Sequence, residues 1–101
     1  MDVEHLEQFR GRTLLDVAGE RVGRIDDVYL NEATREPEWI RVSVGPLATR
    51  STLVPVARLE VRDTELHVTH DRDFVRAAPA YFEARGALPP ANEAELFEYY
   101  G

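Results

Sequence analysis

Between Val22 and Val44 the chain reads VGRIDDVYLNEATREPEWIRVSV, and this stretch narrows the choice of folds more than any other. Two runs rich in Val, Ile, Tyr and Trp flank a polar segment holding Asn31, Thr34 and Pro37, the pattern of two antiparallel strands and their connection. Ile25, Val28 and Leu30 supply the apolar side of the first run, and Ile40, Val42 and Val44 alternate along the second. A two-stranded ribbon is marginal by itself, so further strands must share its apolar face.

Those strands are found on both sides. Thr13 to Val17 reads as a strand, followed by a turn at Ala18, Gly19 and Glu20, with Gly19 free to take a positive φ. The apolar order from Val22 to Leu30 changes phase near Ile25, which a bulge would repair, and Gly23 allows a bulge or tight curvature there. Pro37 stands where a strand's first residue does not need its N–H, and Pro55, inside the run Leu53 to Val56, marks an edge, a bulge or a strand end. Val61 and then Leu66 and Val68 flank Asp63-Thr64, a two-residue hairpin connection. About six short strands on short links favour a small closed or half-closed barrel, because barrels leave few edges exposed. No long amphipathic helix separates the strands, so parallel crossovers are not expected. The expected fold is therefore all-β, a small, strongly bent antiparallel β-barrel with short C-terminal helical segments. An open sheet covered by helices is the rival.

The ends are expected to be different in kind. Residues 1–11 form an arm or a short, uncapped helix, with Val3, Leu6 and Phe9 on one face. Residues 12–78 form the β domain. Asp71 can cap a helical turn through Asp73, Phe74 and Val75, and Pro79 then pushes Ala78 towards extended backbone. Residues 79–101 are expected to be a coil, with Pro90 opening a terminal helix that packs on the barrel or on a partner.

Charge and composition exclude several function classes. A formal net charge of -7, with no Lys/Arg cluster, disfavours direct nucleic-acid or anionic-lipid binding. The absence of cysteine removes disulfides and thiolate chemistry. The opening MDVEHLEQFRG lacks a continuous apolar run, so a cytoplasmic protein without a transmembrane segment is expected, membrane association being possible only through a protein partner.

Chemistry-bearing residues are sparse. His67 and His70, beside Asp71 and Asp73, are the best candidates for a metal or acid–base cluster, although two positions three apart on a strand face opposite ways. Adjacent Asp26 and Asp27 diverge on a strand and do not make a catalytic carboxylate pair. No serine has the glycine-flanked nucleophile context, and no glycine-rich phosphate loop is present. The chain is expected to be no enzyme and to carry no cofactor. Aromatic residues outside the strands pose a different question: Tyr81, Phe82, Phe97 and Tyr99, with Trp39 as core or rim, are candidates for an interaction surface.

Three stretches, GERVGRIDDVYL from Gly19, PEWIRV from Pro37, and LVPV from Leu53 ahead of the Asp63 hairpin, resemble the PRC-barrel family. This small β-barrel domain occurs in the cytoplasmic part of the photosynthetic reaction-centre H subunit and in the C-terminal half of the ribosome maturation factor RimM. Val75, Ala78-Pro79, Leu88 and the ending ELFEYYG look like stand-alone bacterial members, including ones described as stress-related. The resemblance implies a barrel and an assembly role with no fixed catalytic set. The leading expectation is a non-enzymatic protein-interaction or assembly module acting on a protein partner or a second copy. Alternatives are a small-ligand or metal-ion-binding regulator at His67, His70, Asp71 and Asp73, and a ribosome-maturation-associated protein working through protein contacts.

Overall fold

A computed structural model of the chain describes residues 1–81 and 92–101. Among them, six strands form one sheet: β1 (Thr13–Leu15), β2 (Arg21–Leu30), β3 (Pro37–Val44), β4 (Arg50–Pro55), β5 (Leu59–Arg62) and β6 (Glu65–Val68). Three short helices accompany it: α1 (Val3–Glu7), α2 (Arg72–Arg76) and α3 (Glu93–Tyr100). The hydrogen-bonded order is β4-β3-β2-β1-β6-β5.

Two expectations are corrected here. The sheet is open rather than a closed barrel, since β4 and β5 are its two edges and share no ladder. It is also not purely antiparallel, because β1 pairs β6 in parallel through Leu14 with Leu66 and Leu15 with His67. The parallel pair needs no helical crossover: strands β2 to β5 themselves make the long connection. The sheet is nevertheless strongly bent. A flat six-stranded sheet would hold its edges about 24 Å apart. The link from Pro55 to Leu59, a single turn of 3₁₀ helix at Val56–Arg58, reaches at most about 14 Å. The sheet must curl until its edges approach at that corner.

Bulges supply the bend. Along β2 the register slips against β1 between Gly23 and Arg21, and against β3 between Ile25 and Asp27, so Asp26 is the extra residue. These irregularities are what the phase change near Ile25 required. Gly23 serves a need beyond curvature, for a Cβ built there would sit 2.1 Å from the Ser43 carbonyl oxygen. Gly19 takes the positive φ, at 85°, that its turn demands. Pro37 opens β3, and Pro55 closes β4 on an edge of the sheet, both places where a missing N–H costs little.

The concave face holds the core. Leu14, Val22, Ile25, Val28, Ile40, Val42, Val44, Val54, Leu66 and Val68 converge there, joined by Val75 from α2 and by Leu6 and Phe9, which close one opening from the N-terminal side. The first helix is capped after all, since the Asp2 carboxylate accepts from the His5 N–H at 2.8 Å. Asp71 caps α2 in the same way, accepting from the Asp73 N–H at 2.7 Å.

Candidate interaction surface

Strand alternation sends Tyr29, Trp39 and Leu53 to the convex side of the sheet, opposite the main core. Three large apolar side chains on an outer face demand a cover. Tyr81 and Leu96, from the C-terminal segment, provide it and complete a second buried cluster. A strap of backbone leads there along the exposed edge of β4. The Arg50 guanidinium donates to the Arg76 carbonyl and, at 2.6 Å, to the Ala78 carbonyl. Thr52 Oγ1 donates to the Pro79 carbonyl at 2.9 Å, and the Tyr81 N–H donates to the Ser51 carbonyl at 2.8 Å. The Ser51 carbonyl, a backbone group that would otherwise be open to another strand, is thus satisfied within the chain, and the Arg50 and Thr52 side chains hold the strap beside the edge.

Helix α3 is pinned at both ends. Near its start, Glu93 Oε1 accepts from the Trp39 indole N–H at 3.1 Å. Burial raises the Glu93 carboxyl above the usual range; the indole N–H opposes that shift and the neighbouring Glu38 charge adds to it. Near its end, Arg58 donates to the Tyr100 carbonyl at 3.1 Å, and Tyr100 is buried against His70 and Phe74. Burial pushes the Tyr29 and Tyr100 hydroxyls well above their ordinary pKa.

The aromatic residues singled out in the sequence therefore have separate fates. Trp39 is 2% exposed and Tyr81 is buried beside Tyr29, ring centroids 5.7 Å apart. Tyr99 stacks on Phe74 at 4.6 Å and donates its hydroxyl to the Phe74 carbonyl at 2.5 Å. Phe97, alone among the described members of this group, stays 42% exposed, although its ring packs 4.4 Å from that of Trp39. Phe82, and Pro90 with it, lie outside the described residues.

Phe97 forms one wall of an open groove of about 620 Å³. Pro37, Pro55, Val56 and Ala57 make the apolar part opposite, and Met1–Val3 and the Arg35–Glu38 stretch close the sides. Four parts of the chain distant in sequence meet there, which is why no local pattern announces the groove.

The histidine region is built differently from a ligand site. His67 is buried, its Nδ1 lying 2.9 Å from the Asp16 carbonyl oxygen, while His70 stacks flat on Phe74 at 4.6 Å. Burial, with help from Arg58, lowers the His70 pKa. Asp71 is spent on its cap, and Asp73 is exposed beside Arg72. Among the described residues no group of three or more His, Asp or Glu side chains converges as metal ligands would.

Asp16 is the polar residue that sequence reasoning missed. It is 2% exposed, with Oδ1 accepting from the Ala18 and Glu20 N–H groups and Oδ2 from the Arg72 N–H, each at 2.8 Å. Burial raises its pKa, but those three N–H groups and the Arg72 charge outweigh burial and hold it below the usual value. The signal was present as Asp at the first and Gly19 at the fourth position of a turn, closed by the Gly19 N–H to Asp16 carbonyl bond at 3.0 Å.

Among the described residues no helix is long and apolar enough to cross a membrane. A family model described as PRC-barrel domain matches residues 1–75. No curated protein matches the chain.

Proposed function

Because the chain belongs to the PRC-barrel domain family, we propose that it is a non-enzymatic, cytoplasmic protein-interaction module whose contact surface centres on Phe97. The observation that carries this reading is a large aromatic side chain left 42% exposed while its neighbours Trp39, Leu96 and Tyr100 are buried. Exposed aromatics on a rigid support give large contact area at small entropic cost. Helix α3 is such a support, held by Leu96 below and by Glu93 and Tyr100 at its ends. The wall chemistry favours binding over reaction, being proline, aliphatic and aromatic carbon rimmed by carboxylates.

A photoreactive phenylalanine analogue at position 97, compared with one at Ala18 on the exposed β1–β2 turn, tests the reading inside cells. A discrete adduct at 97 that is absent at 18 is the expected result, and a mass of two chains would identify a homodimer. No adduct, or the same adducts from both positions, overturns it.

A further inference from the structure

We propose that the groove at Phe97 takes a basic segment of another protein: one apolar side chain seated against Pro37, Pro55 and Val56, with a neighbouring lysine or arginine lying over the Phe97 ring beside Glu36 and Glu38. This rests on the interaction reading and specifies the chemistry of its partner.

The backbone first decides the mode of recognition. The groove lies where β3 begins and β4 ends, and both strand ends are prolines, which have no N–H to offer. A main-chain ladder is therefore not what this place provides, and the β4 edge is already covered by the 76–81 strap. Recognition falls to side chains. A groove of about 620 Å³ has room for an anchor residue and its neighbour.

Charge then decides the kind of side chain. The lining carries the carboxylates of Asp2, Glu36 and Glu38 against the guanidinium of Arg35 and the α-ammonium of Met1, so carboxylates remain in excess. Elsewhere Arg10, Arg24, Arg62 and Arg72 each meet a carboxylate within 4.0 Å. Among the described residues none of Asp2, Glu36, Glu38 and Arg35 is in such a pair. Asp2 is occupied by the His5 N–H, and Glu38 accepts from Asn31 Nδ2 at 2.9 Å, neither of which supplies a full positive charge. Glu93 lies against Glu38 on the α3 side, and the Glu38 charge is part of what raises the Glu93 carboxyl. A cation entering here gains the ring face of Phe97 and the carboxylates together. A second copy of this chain is a poorer occupant on charge, at -7 for each copy and with Glu95 and Glu98 also exposed on α3.

The test is a titration of the isotopically labelled full chain, followed by amide chemical shifts, with two synthetic peptides. One has a leucine flanked on both sides by lysines; the other has the same leucine flanked by glutamates. The lysine peptide is expected to move the amides of Val3, Glu38, Val56, Ala57 and Phe97, less so as salt rises. Phe97→Ala is expected to weaken it about tenfold. Glu36→Lys, a change at an exposed position, is expected to weaken it about threefold and to improve binding of the glutamate peptide. No shift at the groove, equal response to both peptides, or shifts mapped to another face overturns the proposal. A discrete adduct at position 97 with no preference for the lysine peptide leaves the interaction reading standing and removes this one. An adduct of two chains with that same indifference assigns the groove to a second copy.

Discussion

At the scale of single residues, two positions outside the groove govern the fold more than their types suggest. Gly23 sits where the β3 backbone passes so close that a methyl group would overlap the Ser43 carbonyl. Gly23→Ala is expected to cost about 2–3 kcal/mol, read as a lower urea midpoint at unchanged slope. Asp16 ties the β1–β2 turn to the start of α2 through three backbone N–H groups. Its folded-state pKa is depressed, so its contribution is complete above the unfolded value of about 3.9 and is lost as pH falls through the folded value. Asp16→Asn is expected to lower stability at neutral pH and to flatten the acid limb below about pH 4, measured by urea titration across that range. Neither role is apparent from type alone. A glycine in a strand reads as a bend, and an aspartate beside a turn reads as a solvated end.

At the scale of elements, the convex-face cluster makes the C-terminal helix a separable unit with its own reporter. Trp39 is the single tryptophan of the chain and lies directly under α3. Leu96→Ala is expected to cost about 2–4 kcal/mol of docking energy, within the range for buried leucine truncation. The check is a red shift of tryptophan emission with the far-ultraviolet strand signal retained. Protonation acts on the same contact. The Glu93 carboxyl is raised in the folded state, so its favourable share is present below the unfolded value of about 4.3 and declines as pH rises through the folded value. Much of this level was legible beforehand. The alternation of Ile40, Val42 and Val44, the Asp63-Thr64 hairpin and the Asp71 cap each stand in the structure as local chemistry required. The parallel β1–β6 pair was not legible, because it joins residues some fifty positions apart and leaves no local periodicity. The groove was hidden for the same reason, its walls coming from Val3, Pro37, Pro55 and Phe97.

At the scale of the whole molecule, the family match ends at residue 75 and the strap begins at once, so the outer face and the β4 edge are covered by chain beyond the matched region. Arg50 is the fastening, since its guanidinium holds the Arg76 and Ala78 carbonyls together. Arg50→Ala is expected to free the strap and bare the edge, giving concentration-dependent association by light scattering where the parent chain shows less. The open topology has a mechanical consequence as well. The β5–β6 hairpin shares a ladder of only two residue pairs with the rest of the sheet, its other ties being the turn at Val56–Arg58, the Arg12 and Arg62 side-chain bonds to Thr64 and Val17 and the core packing of Leu66 and Val68, whereas β2 and β3 share a ladder along most of their length. The molecule is thus a stiff four-strand plate carrying a two-strand flap, with His67 and Asp16 as the rivet between them. Any swing of that flap would carry the Val56–Ala57 turn with it and so change the width of the groove, one wall of which that turn forms.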